Sequence, residues 1–449
     1  MTDAPRPPAP SETPAAGRPL PYGALALLMT VYAFNLLDRQ IVTILVEPMK
    51  ADLGLADWQI GMISGLAFAL FYTLLGIPLA RLADRGNRVG LIAVSLLVWS
   101  GFTALCGVAR NFTELLLARI GVGIGEAGCT PAAHSLITDY VPRERRGWAL
   151  SLYSLGVPVG SLAGLVLGGV LLASLGWRAA FLVAGLPGML LAGLVWFALD
   201  EPRRRAAGAS SAASPQLPLG EVIATLRRLP SFWLISFGTA MGAFGYYGQA
   251  AFFGSLYMRT HSAGLDALAV SWGVAPSVML GLALGLMVGV IGMLGTLAGG
   301  HLADRAARGG IAGYTRVPSI TLVLAAPLFA GAAMAGTIDL SFVLLGLAIF
   351  VHALNYGSVF AAVQTLAKPS IRAMASAIQL FITNAIGLAL GPLFVGVASD
   401  LLAPSLGSEQ GLRAAMALVA LPLALGSLLF WLGGRRIAAD EQADQSNRR

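Results

Sequence analysis

Apolar runs of about twenty residues recur along almost the whole of this 449-residue chain, and no other feature restricts its fold as severely. A helix of that length crosses the hydrocarbon core of a bilayer. The runs fall at 22–48, 58–80, 89–109, 112–135, 147–173 and 177–199, then at 231–258, 277–302, 316–336, 340–366, 373–400 and 411–433. Charged residues make up 11% of the chain and hydrophobic ones 57%. The mean hydropathy is +0.76. So few charges cannot cover a soluble globule of this size with solvated side chains. Lipid is therefore the expected outer solvent, and each spanning segment must satisfy its own backbone groups as a helix. The expected fold class is an all-α membrane protein of twelve transmembrane helices.

The formal charge of +7 does not point to nucleic acid, because the arginines stand in short clusters between apolar runs rather than on one basic face. Their placement instead sets an orientation. With the N-terminus inside, the cytosolic side receives Arg81, Arg85, Arg88, Arg143, Arg145, Arg146, Arg305, Arg308, Arg316, Lys368, Arg372, Arg435 and Arg436. The outer side keeps Lys50, Arg110, Arg178, Arg259 and Arg413. Both termini are expected in the cytosol, and the Lys-poor, Ala/Leu/Arg-rich composition suggests a bacterial inner membrane. Cys106 and Cys129 lie within apolar runs and match no metal-ligand spacing. No cofactor, metal or nucleotide is expected.

The chain divides into a Pro- and Ala-rich tail over 1–21, a six-helix unit over 22–199, a linker over 200–230, a second six-helix unit over 231–433 and a tail over 434–449. The tail at 1–21 reads as disordered and cytosolic. The linker carries Arg203, Arg204 and Arg205 and later Arg227 and Arg228. An internal echo relates the halves. Leu82-Ala83-Asp84-Arg85 after the second run recurs as Leu302-Ala303-Asp304-Arg305 after the eighth, and Arg146-Gly147-Trp148-Ala149 pairs with Arg372-Ala373-Met374-Ala375. Parallel halves related by an axis along the membrane normal are a transporter design.

The stretch Arg81-Leu-Ala-Asp84-Arg85-Gly86-Asn-Arg88 resembles the cytosolic loop signature of the major facilitator superfamily. Asp84 there can pair with an arginine of a neighbouring helix end and latch one conformational state. The candidate cytosolic gate comprises Arg81, Asp84, Arg85, Arg88, Asp139, Arg146, Asp304 and Arg305. Within that superfamily the chain resembles the spinster family. The resemblance lies in Asn35-Leu-Leu-Asp38-Arg39-Gln40, in Arg119 with Gly121-Val-Gly-Ile-Gly125-Glu126-Ala127, and in Pro131 followed by Asp139. It implies two pseudo-symmetric six-helix bundles, alternating access, and lysophospholipid or sphingosine-phosphate-like cargo, often with proton coupling.

Four charges lie at membrane depth: Asp38 and Arg39 in the first run, Arg119 and Glu126 in the fourth. Each costs about 2.5–3.5 kcal/mol to insert and so needs a partner. Arg119 and Glu126 are seven residues apart, two turns along one helix face. The resemblance places the first and fourth helices on the central cavity, so one cluster of two acids and two bases is expected, and a swap of partners between states would couple a proton. Arg119 and Glu126 are also candidate substrate contacts. Glu47, near the outer end of its run, reads as interfacial.

The second half offers Tyr246, Tyr247, Gln249, Phe252 and Phe253 in its first run and His352, Asn355 and Tyr356 in its fourth, with Gln379 and Asn384 in its fifth. Uncharged polar groups among rings suit an amphiphile. Gly121-x-Gly123-x-Gly125-x-x-Gly128 follows no strand and reads as close helix packing, not a phosphate loop. Gly156-Val-Pro158-Val-Gly160 and Gly387 to Pro392 read likewise. His134 and Asp139 have an acyltransferase spacing, but they close a transmembrane helix ahead of a basic loop, so no catalytic residue is assigned. The expected function is proton-coupled secondary transport of an amphiphile by a monomer in the bilayer. A small organic-anion symporter or multidrug exporter is the alternative, and a membrane-embedded lipid acyltransferase a remote one.

Overall fold

The computed structural model describes residues 22–202, 219–308, 310–368 and 371–446. The tail at 1–21, the linker arginines Arg203, Arg204 and Arg205, and the side chains of Asp84 and Arg85 lie outside the described residues. Nine helical stretches among those described are long and apolar enough to cross a membrane. One of them, Arg143–Ala198, is two crossings merged at Gly176, whose φ of 80° and ψ of 170° are not helical. Two further runs, 112–140 and 230–260, are each broken into shorter helices. Taken as crossings as well, these would bring the candidate spans among the described residues to twelve.

The crossings are α1 (Tyr22–Leu53), α2 (57–85), α3 (Arg88–Cys106), α4 (112–140), α5 (146–175), α6 (177–198), α7 (230–260), α8 (Pro276–Ala307), α9 (Ile311–Met334), α10 (Ile338–Leu366), α11 (372–406) and α12 (408–446). Short helices Leu219–Arg227 and Ser262–Trp272 precede α7 and α8. The tail expected from 434 on is helical through Ser446, as a continuation of α12. Local sequence explains several boundaries. Asn87 caps α3 by accepting from Gly90 N at 3.0 Å, and Asn111 caps α4 by accepting from Glu114 N at 3.0 Å.

Small residues decide which helices touch. Within the first half, α5 glycines Gly160 and Gly164 meet the α1 backbone at Ala33 and Leu37, Gly123 of α4 meets Phe68 of α2, and Gly185 of α6 meets Ser100 of α3. The second half repeats this scheme. Gly391 of α11 meets Phe244 of α7, Gly295 of α8 meets Phe350 of α10, and Gly238 of α7 lies on Phe430 of α12. With no hydrophobic effect between helices in lipid, backbone proximity of this kind supplies much of the packing energy. The Gly121–Gly128 motif is used in this way, as expected.

The halves meet along two seams. Gly61 and Gly65 of α2 lie on Pro392 and Ala389 of α11, and Gly169 and Leu165 of α5 lie on Ser277 and Gly281 of α8. Three of these four helices change to π-helical winding, at Met62–Leu66, Leu286–Ile291 and Thr383–Leu388. The ion pairs described between the halves lie at the end of the bundle that carries Arg259.

Candidate functional site

Asp38 and Arg39 are neighbours on α1 and so point about 100° apart. Arg39 reaches α4, where its Nε and Nη2 bond Glu126 Oε2 at 2.7 and 2.6 Å. Its guanidinium also lies over the rings of Phe68 and Tyr72 of α2, 4.5 and 4.8 Å from their centroids. Each such cation–π contact contributes about 0.5–2 kcal/mol. Asp38 turns the other way, toward α3. It is wholly enclosed, and Thr103 Oγ1 donates to its Oδ2 at 3.1 Å.

The pairing is incomplete. Asp38 Oδ1, Glu126 Oε1, and Nε and Nη1 of Arg119 are buried and lack a hydrogen bond of regular geometry among the described residues, although the Trp99 side chain faces Asp38 and the Asn35 side chain faces Glu126. Arg119 is near enough to attract both carboxylates and lies 5.7 Å from the Phe68 centroid, yet it bonds neither acid. The structure therefore brings together the four charges read from the sequence, as one cluster between α1 and α4. Within it, Arg39 rather than Arg119 holds Glu126.

The helix break beside the cluster has a local cause. Pro131 lacks the N–H that would bond the Ala127 carbonyl four residues earlier, and α4 opens at Ala127–Gly128, directly after Glu126. The acid thus ends a helical segment, where its neighbours can shift without breaking a regular ladder.

The second half holds a small, partly open cavity of about 140 Å³. Thr239, Tyr247, His352, Asn355, Gln379 and Asn384 give it polar wall, and Leu322, Phe360, Leu380 and Phe430 give it apolar wall. It carries no charged side chain in that wall. Asn355 Nδ2 bonds the His352 carbonyl at 2.6 Å where α10 breaks, and His352 Nε2 faces Gly242 O at 3.2 Å. The Tyr246 ring stacks on His352 at 5.0 Å, behind the cavity. Buried atoms His352 Nδ1 and Gln379 Oε1 have no partner among the described residues.

Three of the candidate substrate residues sit elsewhere. Phe252 and Phe253 are buried in the hydrophobic core where α7 breaks, since a break between them and Ala250 turns both rings inward. Gln249 donates to Met416 O at 3.0 Å and knits α7 to α12. Rings cluster in the first half as well: Tyr32 stacks on Tyr153 at 4.6 Å, and His134 meets Tyr153 edge-on at 5.3 Å.

At the arginine-rich end, Arg88 is buried on α3 and bonds Asp139 Oδ2 of α4 at 2.6 Å and Glu201 Oε1 beyond α6 at 2.5 Å. Arg146 Nε donates to Val141 O at 3.3 Å. Arg81 is exposed, as are Asp304 and Arg305. Sequence reading missed Glu201, which falls just beyond the last residue of its apolar run. It also missed Thr103, a neutral residue in a fully apolar stretch. Glu47, read as interfacial, is tied to Arg259 across the halves.

Comparison with known proteins places this arrangement. The description of the Major Facilitator Superfamily matches residues 28–392. An "MFS-type efflux pump" of Mycolicibacterium smegmatis (strain ATCC 700084 / mc(2)155) is 35% identical, over 93% of this chain and 94% of that one. "Protein spinster homolog 1" of Mus musculus is 27% identical, over 93% of this chain and 81% of that one. The crystal structure of a bacterial homolog to the human lysosomal transporter Spinster, inward-facing and unoccupied, superposes with a TM-score of 0.82. It is 29% identical and covers 95% of this chain and 99% of the other.

Proposed function

This chain belongs to the major facilitator superfamily and is a transporter rather than an enzyme, and from that premise we propose proton-coupled secondary transport of an amphiphilic solute by alternating access. The observation that carries the reading is the incomplete pairing of the buried cluster. A fully satisfied network of two acids and two bases would be a static brace. Here Arg119 and Asp38 stand near each other without pairing, Asp38 keeping only the bond from Thr103, while Arg39 holds Glu126. With a proton on Asp38 the enclosure holds no bare unpartnered carboxylate. When the halves rock and Arg119 closes on Asp38, that proton leaves and the ion pair replaces it. Return of the proton releases Arg119 to an anionic headgroup.

The cavity of the second half suits the remainder of the cargo. Its neutral donors and acceptors can orient a polar linkage, and Leu322, Phe360, Leu380 and Phe430 can take an apolar chain. A lysophospholipid or sphingosine-phosphate-like lipid is the cargo class in this reading. The arginine asymmetry favours both termini in the cytosol of a bacterial cell, with the end bearing Arg259 facing outward.

Export of apolar drug-like compounds is a second reading, favoured by the 35% identity to an efflux pump. Uptake into proteoliposomes separates them. An imposed pH gradient should drive a lysophospholipid with an affinity that rises with chain length, by about 0.8 kcal/mol per buried methylene. Drug transport with no lysolipid competition would favour the second reading.

A further inference from the structure

The two halves differ in charge where the third and last helix of each come together at the arginine-rich end. In the first half, Arg88 at the start of α3 is closed by Glu201, just past α6, at 2.5 Å. The matching helices of the second half are α9 and α12, joined by Ser427 Oγ donating to Ser319 O at 2.6 Å and by Gly434 against Thr315. Here the arginine near the start of α9 is Arg316. Where the first half follows its last crossing with Asp200-Glu201, α12 carries Arg435 and Arg436. Arg227 and Arg228 lie close by, just before Ser231, whose N–H donates to Asp440 Oδ2 of α12 at 3.0 Å. Asp440 is thus spent on backbone. Among the described residues none of these five arginines forms an ion pair, so like charges gather without the carboxylate that closes the first half.

A second, independent observation says what these arginines face. On α12 the exposed residues Leu421, Leu425, Leu428 and Leu432 recur every three or four positions, as the lipid-facing stripe of a helix does. Arg435 and Arg436 continue that stripe one turn further. On α9, Arg316 lies one turn before exposed Ile320 and two before exposed Leu324. The guanidiniums therefore stand over lipid-facing surface at headgroup depth, away from the cavity. Trp431, half-exposed at the same level, carries the Arg435 guanidinium with its Cζ 3.7 Å from the ring centroid. Such stacking fixes the plane of the guanidinium and leaves its N–H edge available to an oxygen acceptor.

We propose that Arg316, Arg435 and Arg436, with Trp431 as floor and Arg227 and Arg228 at the rim, bind the phosphate of an anionic membrane phospholipid. The lipid supplies here the negative charge that Glu201 supplies in the first half. A bilayer lipid, rather than dissolved phosphate, is the occupant because the arginines top two apolar stripes along which its acyl chains can lie. Clustered guanidiniums at the ends of crossings suit such headgroups, which they can bond in pairs. Orientation signalling alone would be met by arginines anywhere on this side, such as Arg143 and Arg145, and needs neither the shared junction nor the ring stack. The site shares no residue with the buried cluster or with the cavity wall.

Native mass spectrometry of the full chain in non-ionic detergent, titrated with cardiolipin and with phosphatidylcholine, tests this. The parent should bind cardiolipin at least about tenfold more tightly than phosphatidylcholine. Combining Arg435→Gln with Arg436→Gln should weaken the first cardiolipin adduct about tenfold, and Arg316→Gln about three- to tenfold. The pair Arg143→Gln and Arg145→Gln, exposed in the first half, should leave it unchanged. Glycerol phosphate, which has the charge but no chains, should compete weakly, and competition equal to that of cardiolipin overturns the lipid assignment. Unfolding of each variant in lipid-free micelles should match the parent. Should the double variant fail to fold, Arg316→Gln and Arg435→Gln decide singly. Parent-like cardiolipin affinity in the second-half variants, or an equal loss in the first-half pair, overturns the proposal. The readout uses neither cargo nor pH gradient, so its failure is distinct from failure of the transport reading.

Discussion

Removing Arg39 should cost less than its geometry suggests, and the shortfall measures Arg119. Glu126 is wholly enclosed and its ion-pair bonds come from Arg39, whose side chain is 24% exposed. Breaking such a pair by deleting one partner ordinarily costs about 3–5 kcal/mol, because the other charge is left buried. Arg119 stands beside both acids with Nε and Nη1 unbonded, so it can close on Glu126 when Arg39 is gone. Arg39→Ala alone should therefore cost about 1–2 kcal/mol, part of it from the lost ring contacts with Phe68 and Tyr72. In an Arg119→Ala background the same change should cost the full 3–5 kcal/mol. The coupling energy expected from the double-mutant cycle is about 2 kcal/mol, measured by reversible unfolding of the purified protein in mixed micelles. In a Glu126→Gln background the coupling should collapse. Additivity within about 0.5 kcal/mol would refute partner exchange and leave a static brace.

Other expectations follow from single contacts. Gly123→Ala would bring a Cβ to 2.6 Å from the Phe68 carbonyl oxygen and should destabilise the α2–α4 contact by about 1–3 kcal/mol, seen as a lower unfolding temperature. Arg88→Lys keeps a charge but loses the planar fork that reaches Asp139 and Glu201 together, and a loss of about 1–2 kcal/mol in micelle unfolding is expected. A parent-like value would show that the charge alone suffices. His352→Phe keeps the stack on Tyr246 while removing both ring nitrogens from the cavity. Calorimetric titration should show cargo affinity falling about three- to tenfold with unfolding unchanged, and equal affinity would place the cargo elsewhere.

The membrane fold was legible because its signal is long and redundant: each crossing repeats an apolar run, and the Leu-Ala-Asp-Arg echo dates one half against the other. The buried cluster was legible for a different reason. Asp38, Arg39, Arg119 and Glu126 stand out where charge is costly, and a helical repeat puts two of them on one face. What could not be read is which acid meets which base, since that depends on the roll of α1 against α4. Phe252 and Phe253 misled because a break in α7, with no proline to announce it, turned both rings into the core. The contacts around Arg259 escaped because Asp57, Arg259 and Asp400 sit at span ends, where charges are common, and are brought together from segments about 140–340 residues apart only by the docking of the halves.

The central claim is that the coupled proton belongs to Asp38, with Glu126 and its partner Arg39 setting when Arg119 is free to pair with it, and net flux against exchange tests this most directly. Proteoliposomes containing parent protein, Asp38→Asn or Glu126→Gln would be loaded with cargo, with internal pH followed during uphill movement and during equal exchange across the membrane. The account predicts that both variants keep exchange, since the halves still rock around bound cargo, but lose cargo-linked proton movement and gradient-driven accumulation. Parent-level proton movement in both variants would contradict it.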